Sequence, residues 1–131
     1  MPIPAQGHLV TTVHSTQTVT VEIDGEVVAR STRPVVLYET GLPIRYYLPP
    51  DDVELTRFKP TDTHTTCPFK GEASYWTYLG NGDTGPRADV AWAYPEPIDS
   101  VPDIAGRLCF YDTVATVTVE GEPPAPPAPS A

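Results

Sequence analysis

The sequence predicts a mainly β fold, a compact antiparallel two-sheet or barrel-like single domain with one short helix. Three observations lead there. Val19, Val21 and Ile23 alternate with Thr20, Glu22 and Asp24, the period of a half-buried strand. Asp24-Gly25 follows immediately, a dipeptide suited to a tight hairpin turn. Beyond it, short runs of β-branched and aromatic residues recur between glycines and prolines, with no internal repeat. At 131 residues the chain fits one domain able to bury a core without disulfides or metals.

The elements follow in order. Residues 1–17 show no clear period and read as an N-terminal extension to a β domain over 18–122. Residues 18–30 form the first hairpin, with Val27 and Val28 on its return strand. After Pro34, Val35–Glu39 is a third strand, turned by Gly41-Leu42-Pro43, and Ile44–Leu48 a fourth, stopped by Pro49-Pro50. Val53–Phe58 alternates again, and 59–65 reads as a polar loop. Ser74–Leu79 is rich in strand formers, 80–86 is a turn-rich loop, and Asp89–Trp92 is a short strand ended by Tyr94-Pro95-Glu96-Pro97. Asp99 or Ser100 caps a short helix through Ala105, with Gly106 as its stop. Arg107–Tyr111 and Val114–Val119 are the last strands. The Pro/Ala run at 123–131 cannot bury apolar surface and is expected to be a disordered tail.

Charge narrows the function. Eight Lys and Arg against 17 Asp and Glu leave a formal net charge of −9, which repels phosphate backbones and anionic lipid surfaces. Neither nucleic acid nor a membrane is therefore an expected partner, and no apolar run approaches the roughly 20 residues of a bilayer span. The N-terminus lacks a basic start followed by an apolar run, so the expected location is cytoplasmic, with Cys67 and Cys109 as free thiols. Two cysteines do not make a four-ligand zinc site, and His8, His14 and His64 are scattered. No metal or cofactor is expected. The exposed edges of such a fold allow a homodimer as well as a monomer.

Four segments carry a resemblance: Glu39 with Tyr46-Tyr47-Leu48-Pro49-Pro50-Asp51-Asp52-Val53, then Thr66 to Trp76, Ala91 to Pro97, and Ile104-Ala105-Gly106. Together they resemble the family catalogued as domain of unknown function 427, also labelled a nucleotidyltransferase domain, over roughly residues 19–122. The resemblance implies a tent-like arrangement in which antiparallel sheets lean together, a topology similar to methionine sulfoxide reductase B. Zinc-binding members of that fold group carry paired Cys-x-x-Cys knuckles, which this sequence lacks. The nucleotidyltransferase label finds little support either. Two-metal nucleotidyl transfer needs converging carboxylates and a phosphate-cradling loop. The chain has no Gly-Ser turn, no Asp-x-Asp strand and no Walker-type loop, and adjacent Asp51 and Asp52 would point apart on a strand.

The segment Thr65 to Gly71 is the candidate centre. Cys67 has Lys70 three residues on and His64 three residues back, neighbours that could stabilise a thiolate; its ordinary alternative is a small buried side chain. Lys70 lies between Pro68, which fixes the backbone, and Gly71, which permits positive φ. It is either a preorganised donor to a ligand carbonyl or carboxylate, or half of a structural ion pair with Glu39, Asp52 or Asp62. Tyr75 joins Lys70 and Cys67 as a catalytic candidate through its hydroxyl. Tyr46, Thr66, Trp76, Trp92 and Tyr94 are the ligand-binding candidates. Aromatics with polar tips line pockets, although for each alone an ordinary core residue is the readier reading. Adjacent Tyr46 and Tyr47, like Tyr75 and Trp76, point to opposite faces, so one of each pair faces inward.

The expected function is that of an accessory biosynthetic enzyme acting on a small molecule. Its reaction would be a metal-free cyclisation, isomerisation or dehydration in an aromatic-lined pocket. The alternative is a non-catalytic interaction module that works through the acidic surface or the proline-rich tail.

Overall fold

A computed structural model describes residues 9–80 and 85–125. The antiparallel, mainly β class is as expected, but among the described residues the strands divide into three open sheets. The first has the order β1 (Val10–His14), β4 (Val35–Glu39), β5 (Arg45–Tyr47). The second runs β10 (Thr116–Glu120), β2 (Thr18–Ile23), β3 (Glu26–Ser31). The third runs β6 (Phe58–Cys67), β7 (Gly71–Tyr78), β8 (Arg87–Ala93), β9 (Leu108–Phe110). A Leu48–Leu108 bridge ties the first sheet to the third.

The β2–β3 hairpin forms where the alternation places it. Its turn residues Asp24 and Gly25 have φ of 51° and 84°, the pair of positive values that matches the strand twist. Val19, Val21 and Ile23 are buried on one face.

The third sheet separates two apolar clusters by strand alternation. Ala91, Ala93, Leu108 and Phe110 join Val19, Val21, Ile23 and Val28 of the second sheet on one side. Tyr75, Trp92 and Cys109 join Val35, Leu37 and Tyr47 of the first sheet on the other. Along β7, Ala73 and Tyr75 face the second cluster while Trp76 and Tyr78 face the first, as alternation requires.

Several expectations give way. Residues 10–14, read as extension, form β1 against β4; with apolar residues only at Val10 and Val13, this strand shows no alternation. Residues 1–8 lie outside the described residues. The polar loop at 59–65 is strand β6, an edge strand paired on one side alone, where threonines pair without an apolar face and Pro60 is tolerated. Val53–Phe58 is no strand. After a 3₁₀ turn at Pro50–Asp52 the chain makes another at Leu55–Arg57, closed by Arg57 N–H donating to Glu54 O at 3.0 Å.

The expected helix at 99–105 is a 3₁₀ turn at Pro102–Ile104 within successive i to i−3 bonds. Pro102 disfavours helical backbone in the residue before it and brings no N–H of its own. Gly106, with φ of 69°, ends the turn. At the other terminus, residues 123–125 are irregular, and the Tyr38 hydroxyl donates to Pro124 O; 126–131 and the loop tip 81–84 lie outside the described residues. Among the described residues, no helix is long and apolar enough to cross a membrane.

Candidate functional site

The β6–β7 hairpin holds the segment singled out in the sequence. Cys67 ends β6, and Lys70 N–H donates back to Cys67 O at 3.2 Å, closing a four-residue turn. Gly71 then has φ of 119°, and a Cβ there would stand 3.3 Å from Glu96 O. Lys70 O accepts from Ile98 N–H at 3.0 Å, so the Pro95–Ile98 segment is laced to the turn. Both constraints fix the start of the Lys70 side chain.

From there Lys70 reaches across to the end of β4, where its Nζ donates to Glu39 Oε1. The pair is largely out of water, with side-chain exposures of 12% for Lys70 and 5% for Glu39. Of the partners weighed from sequence, Glu39 is the one found. This pair closes one wall of a cavity of about 200 Å³ lined by Glu39, Leu42, Arg45, Tyr47, Lys70, Tyr75, Trp92, Tyr94 and Tyr111.

Aromatic contacts set the shape of the cavity. Tyr47 and Trp92 meet edge to face at 6.4 Å, and the Trp92 Nε1–H donates to the Tyr47 hydroxyl at 3.1 Å. Trp92 packs on Tyr111 with ring centroids 4.4 Å apart, and the Arg45 guanidinium sits 5.5 Å from the Trp92 ring centre. Tyr75 stands directly opposite Trp92 on the neighbouring strand, and its hydroxyl shares a 2.8 Å hydrogen bond with Thr65 Oγ1. Burial raises the ionisation of Tyr47 and Tyr94 well above the ordinary tyrosine value. Tyr111 is pushed up to about 12 by burial, reinforced by a hydrogen bond to Tyr75. At neutral pH these hydroxyls are therefore protonated donors.

Four of the sequence-predicted residues come together here: Lys70, Tyr75, Trp92 and Tyr94. Cys67 is half-buried against the same aromatic cluster but does not line the cavity. Thr66, opposite Glu72, is exposed; alternation turns it away, and its neighbour Thr65 makes the bond to Tyr75. Tyr46 and Trp76 pack against the other core, where the Tyr46 hydroxyl accepts from Gln17 Nε2 at 3.3 Å. These three residues do not line this cavity. Cys109 is fully buried, and burial pushes its thiol up to about 12.

Sequence reasoning passed over Arg45, Tyr47 and Tyr111 as site residues. Alternation separated Tyr46 from Tyr47 without saying which faced inward. The register of β5 on β4, with Tyr47 opposite Val35 and Arg45 opposite Leu37, puts both on the cavity side. Among the described residues, no three His, Cys, Asp or Glu side chains converge as a metal site.

Compared with known proteins, residues 11–121 match the family described as Domain of unknown function (DUF427). No curated protein matches the chain.

Proposed function

The chain belongs to the domain of unknown function 427 family, and from its site we propose that it acts on a small molecule by acid–base chemistry drawn from its own side chains. The observation that carries this reading is the Lys70–Glu39 pair, a proton donor beside a proton acceptor, set in the wall of an aromatic cavity. An ion pair this dry contributes little net stability compared with apolar residues of similar size. At a reacting centre it supplies both partners of a proton transfer.

In this reading a carbonyl oxygen of the substrate accepts hydrogen bonds from Lys70 and a tyrosine hydroxyl. Lys70 carries three N–H donors and gives one to Glu39. The Glu39 carboxylate takes the proton from the carbon beside the carbonyl. The C–H electron pair becomes the enolate double bond, and the charge on oxygen is held by the donors. Reprotonation at another carbon completes an isomerisation. Loss of a β-hydroxyl as water, with a proton from Lys70, completes a dehydration; attack of the enolate carbon on a second carbonyl of the same substrate, whose C=O π pair moves to oxygen and takes a proton from Lys70, completes a cyclisation. The volume, about 200 Å³, suits a compact substrate, below the roughly 300 Å³ at which drug-sized pockets begin.

The test is exchange of the α-hydrogens of cyclohexanone in D₂O, followed by NMR. The protein should accelerate exchange over buffer, and Glu39→Gln and Lys70→Met should each lose at least about tenfold of that acceleration. Wild-type protein that gives no acceleration would remove the acid–base reading.

A further inference from the structure

Resting on the reading of this cavity as a ligand site, we infer that its ligand is an anion, a compact carboxylate bound through Arg45 beside Trp92. The charges in the wall lead there. Lys70 and Arg45 bring two cations and Glu39 one carboxylate. Lys70 and Glu39 are joined to each other, so the remaining positive charge belongs to Arg45. This stands out in a chain whose net charge is −9.

Arg45 is held for the task. Its guanidinium lies 5.5 Å from the centre of the Trp92 ring, within reach of a cation–π contact. Its side chain is 29% exposed, at the margin of the cavity and not in open water. Its acidic neighbour, Asp112, is a weak competitor: the Nη1 to Oδ2 distance is 4.0 Å, and the Asp112 side chain is 65% exposed. A ligand carboxylate can take the fork in bidentate fashion while Asp112 remains solvated. The field of Arg45 also reaches inward, where it opposes the effect of burial on Tyr47, Tyr111 and Cys109. The tyrosines add neutral donors and no negative charge to repel an anion.

The test uses three probes of one shape and different charge, benzoate, benzamide and benzylammonium. Each is titrated into the full chain and followed by the indole N–H resonance of Trp92, assigned with Trp76→Phe. Benzoate should bind at least about tenfold more tightly than benzamide, with benzylammonium weakest. Arg45→Gln should abolish the preference for benzoate, and Arg45→Lys should restore part of it. Asp112→Asn, at an exposed position, should tighten benzoate about two- to threefold. Benzamide or benzylammonium shifting Trp92 as strongly as benzoate would overturn the anion inference and leave the cavity as a ligand site. A preference for benzoate that survives Arg45→Gln would overturn it too. No shift from any probe would overturn both.

Discussion

The Trp92 indole N–H donates to the Tyr47 hydroxyl at 3.1 Å, a bond that joins the third sheet to the first across the floor of the cavity. Trp92 and Tyr47 are both buried, so the bond satisfies two polar groups that have little access to water. Tyr47→Phe should therefore cost about 1–3 kcal/mol of stability by stranding the indole donor. Urea denaturation measures it. An unchanged midpoint would mean that the bond contributes nothing.

Gly71 is predicted to be intolerant of a side chain. Its φ of 119° disfavours L-residues, and a Cβ would press on Glu96 O at 3.3 Å, backbone that cannot swing aside. Gly71→Ala should destabilise by about 1–3 kcal/mol and displace Lys70 from Glu39. Gly25→Ala is the comparison: its φ is also positive, but nothing lies within 4 Å of its Cβ. Its effect should be the smaller of the two in the same denaturation series.

The fold was legible where one face of a strand is apolar and illegible where it is not. Val19, Val21 and Ile23 announced β2 by alternation, and Asp24-Gly25 announced its turn. β6 carried no such pattern, because an edge strand needs one hydrogen-bonded partner and no buried face. At the site, the rigid surroundings of Lys70 could be read from Pro68 and Gly71. The alignment of Glu39 with it could not, since that depends on how β4 faces the β6–β7 hairpin 31 positions away. The choice of Tyr47 over Tyr46 likewise rests on cross-strand register, which one sequence does not encode locally.

Alkaline pH should weaken the fold through the buried tyrosines. The ordinary tyrosine value is 10.0, and burial raises Tyr47, Tyr94 and Tyr111 in the folded state, Tyr111 to about 12. A raised value favours the neutral form in the fold, so this contribution is fully present below pH 10. It is lost as pH rises through the folded values, beginning near 10 and extending to about 12 for Tyr111. Denaturation midpoints should be level with respect to these groups from pH 8 to 9.5 and fall steeply above. Phenolate absorbance should appear together with unfolding. Titration of all seven tyrosines at their ordinary value in the folded protein would contradict this.

The two thiols should differ in reactivity. Cys109 is fully buried, and its thiol is pushed up to about 12. Cys67 is half-buried at the end of β6. A disulfide reagent at pH 8 should modify Cys67 first, with Cys109 reacting only at the rate of unfolding. Cys67→Ser should remove the early phase. Equal rates for the two would contradict the packing of Cys109 between the sheets.

In the proposed function, Lys70 and Glu39 are paired for chemistry and not for stability. Breaking a buried pair from one side costs about 3–5 kcal/mol, whereas apolar replacement of both partners is neutral or stabilising. The direct measurement is cyclohexanone α-exchange by the double variant Glu39→Leu/Lys70→Met, made at a temperature where denaturation shows it fully folded. The double variant should be at least as stable as wild type, and its exchange rate should fall to that of buffer. A folded double variant that exchanges as fast as wild type would contradict that function.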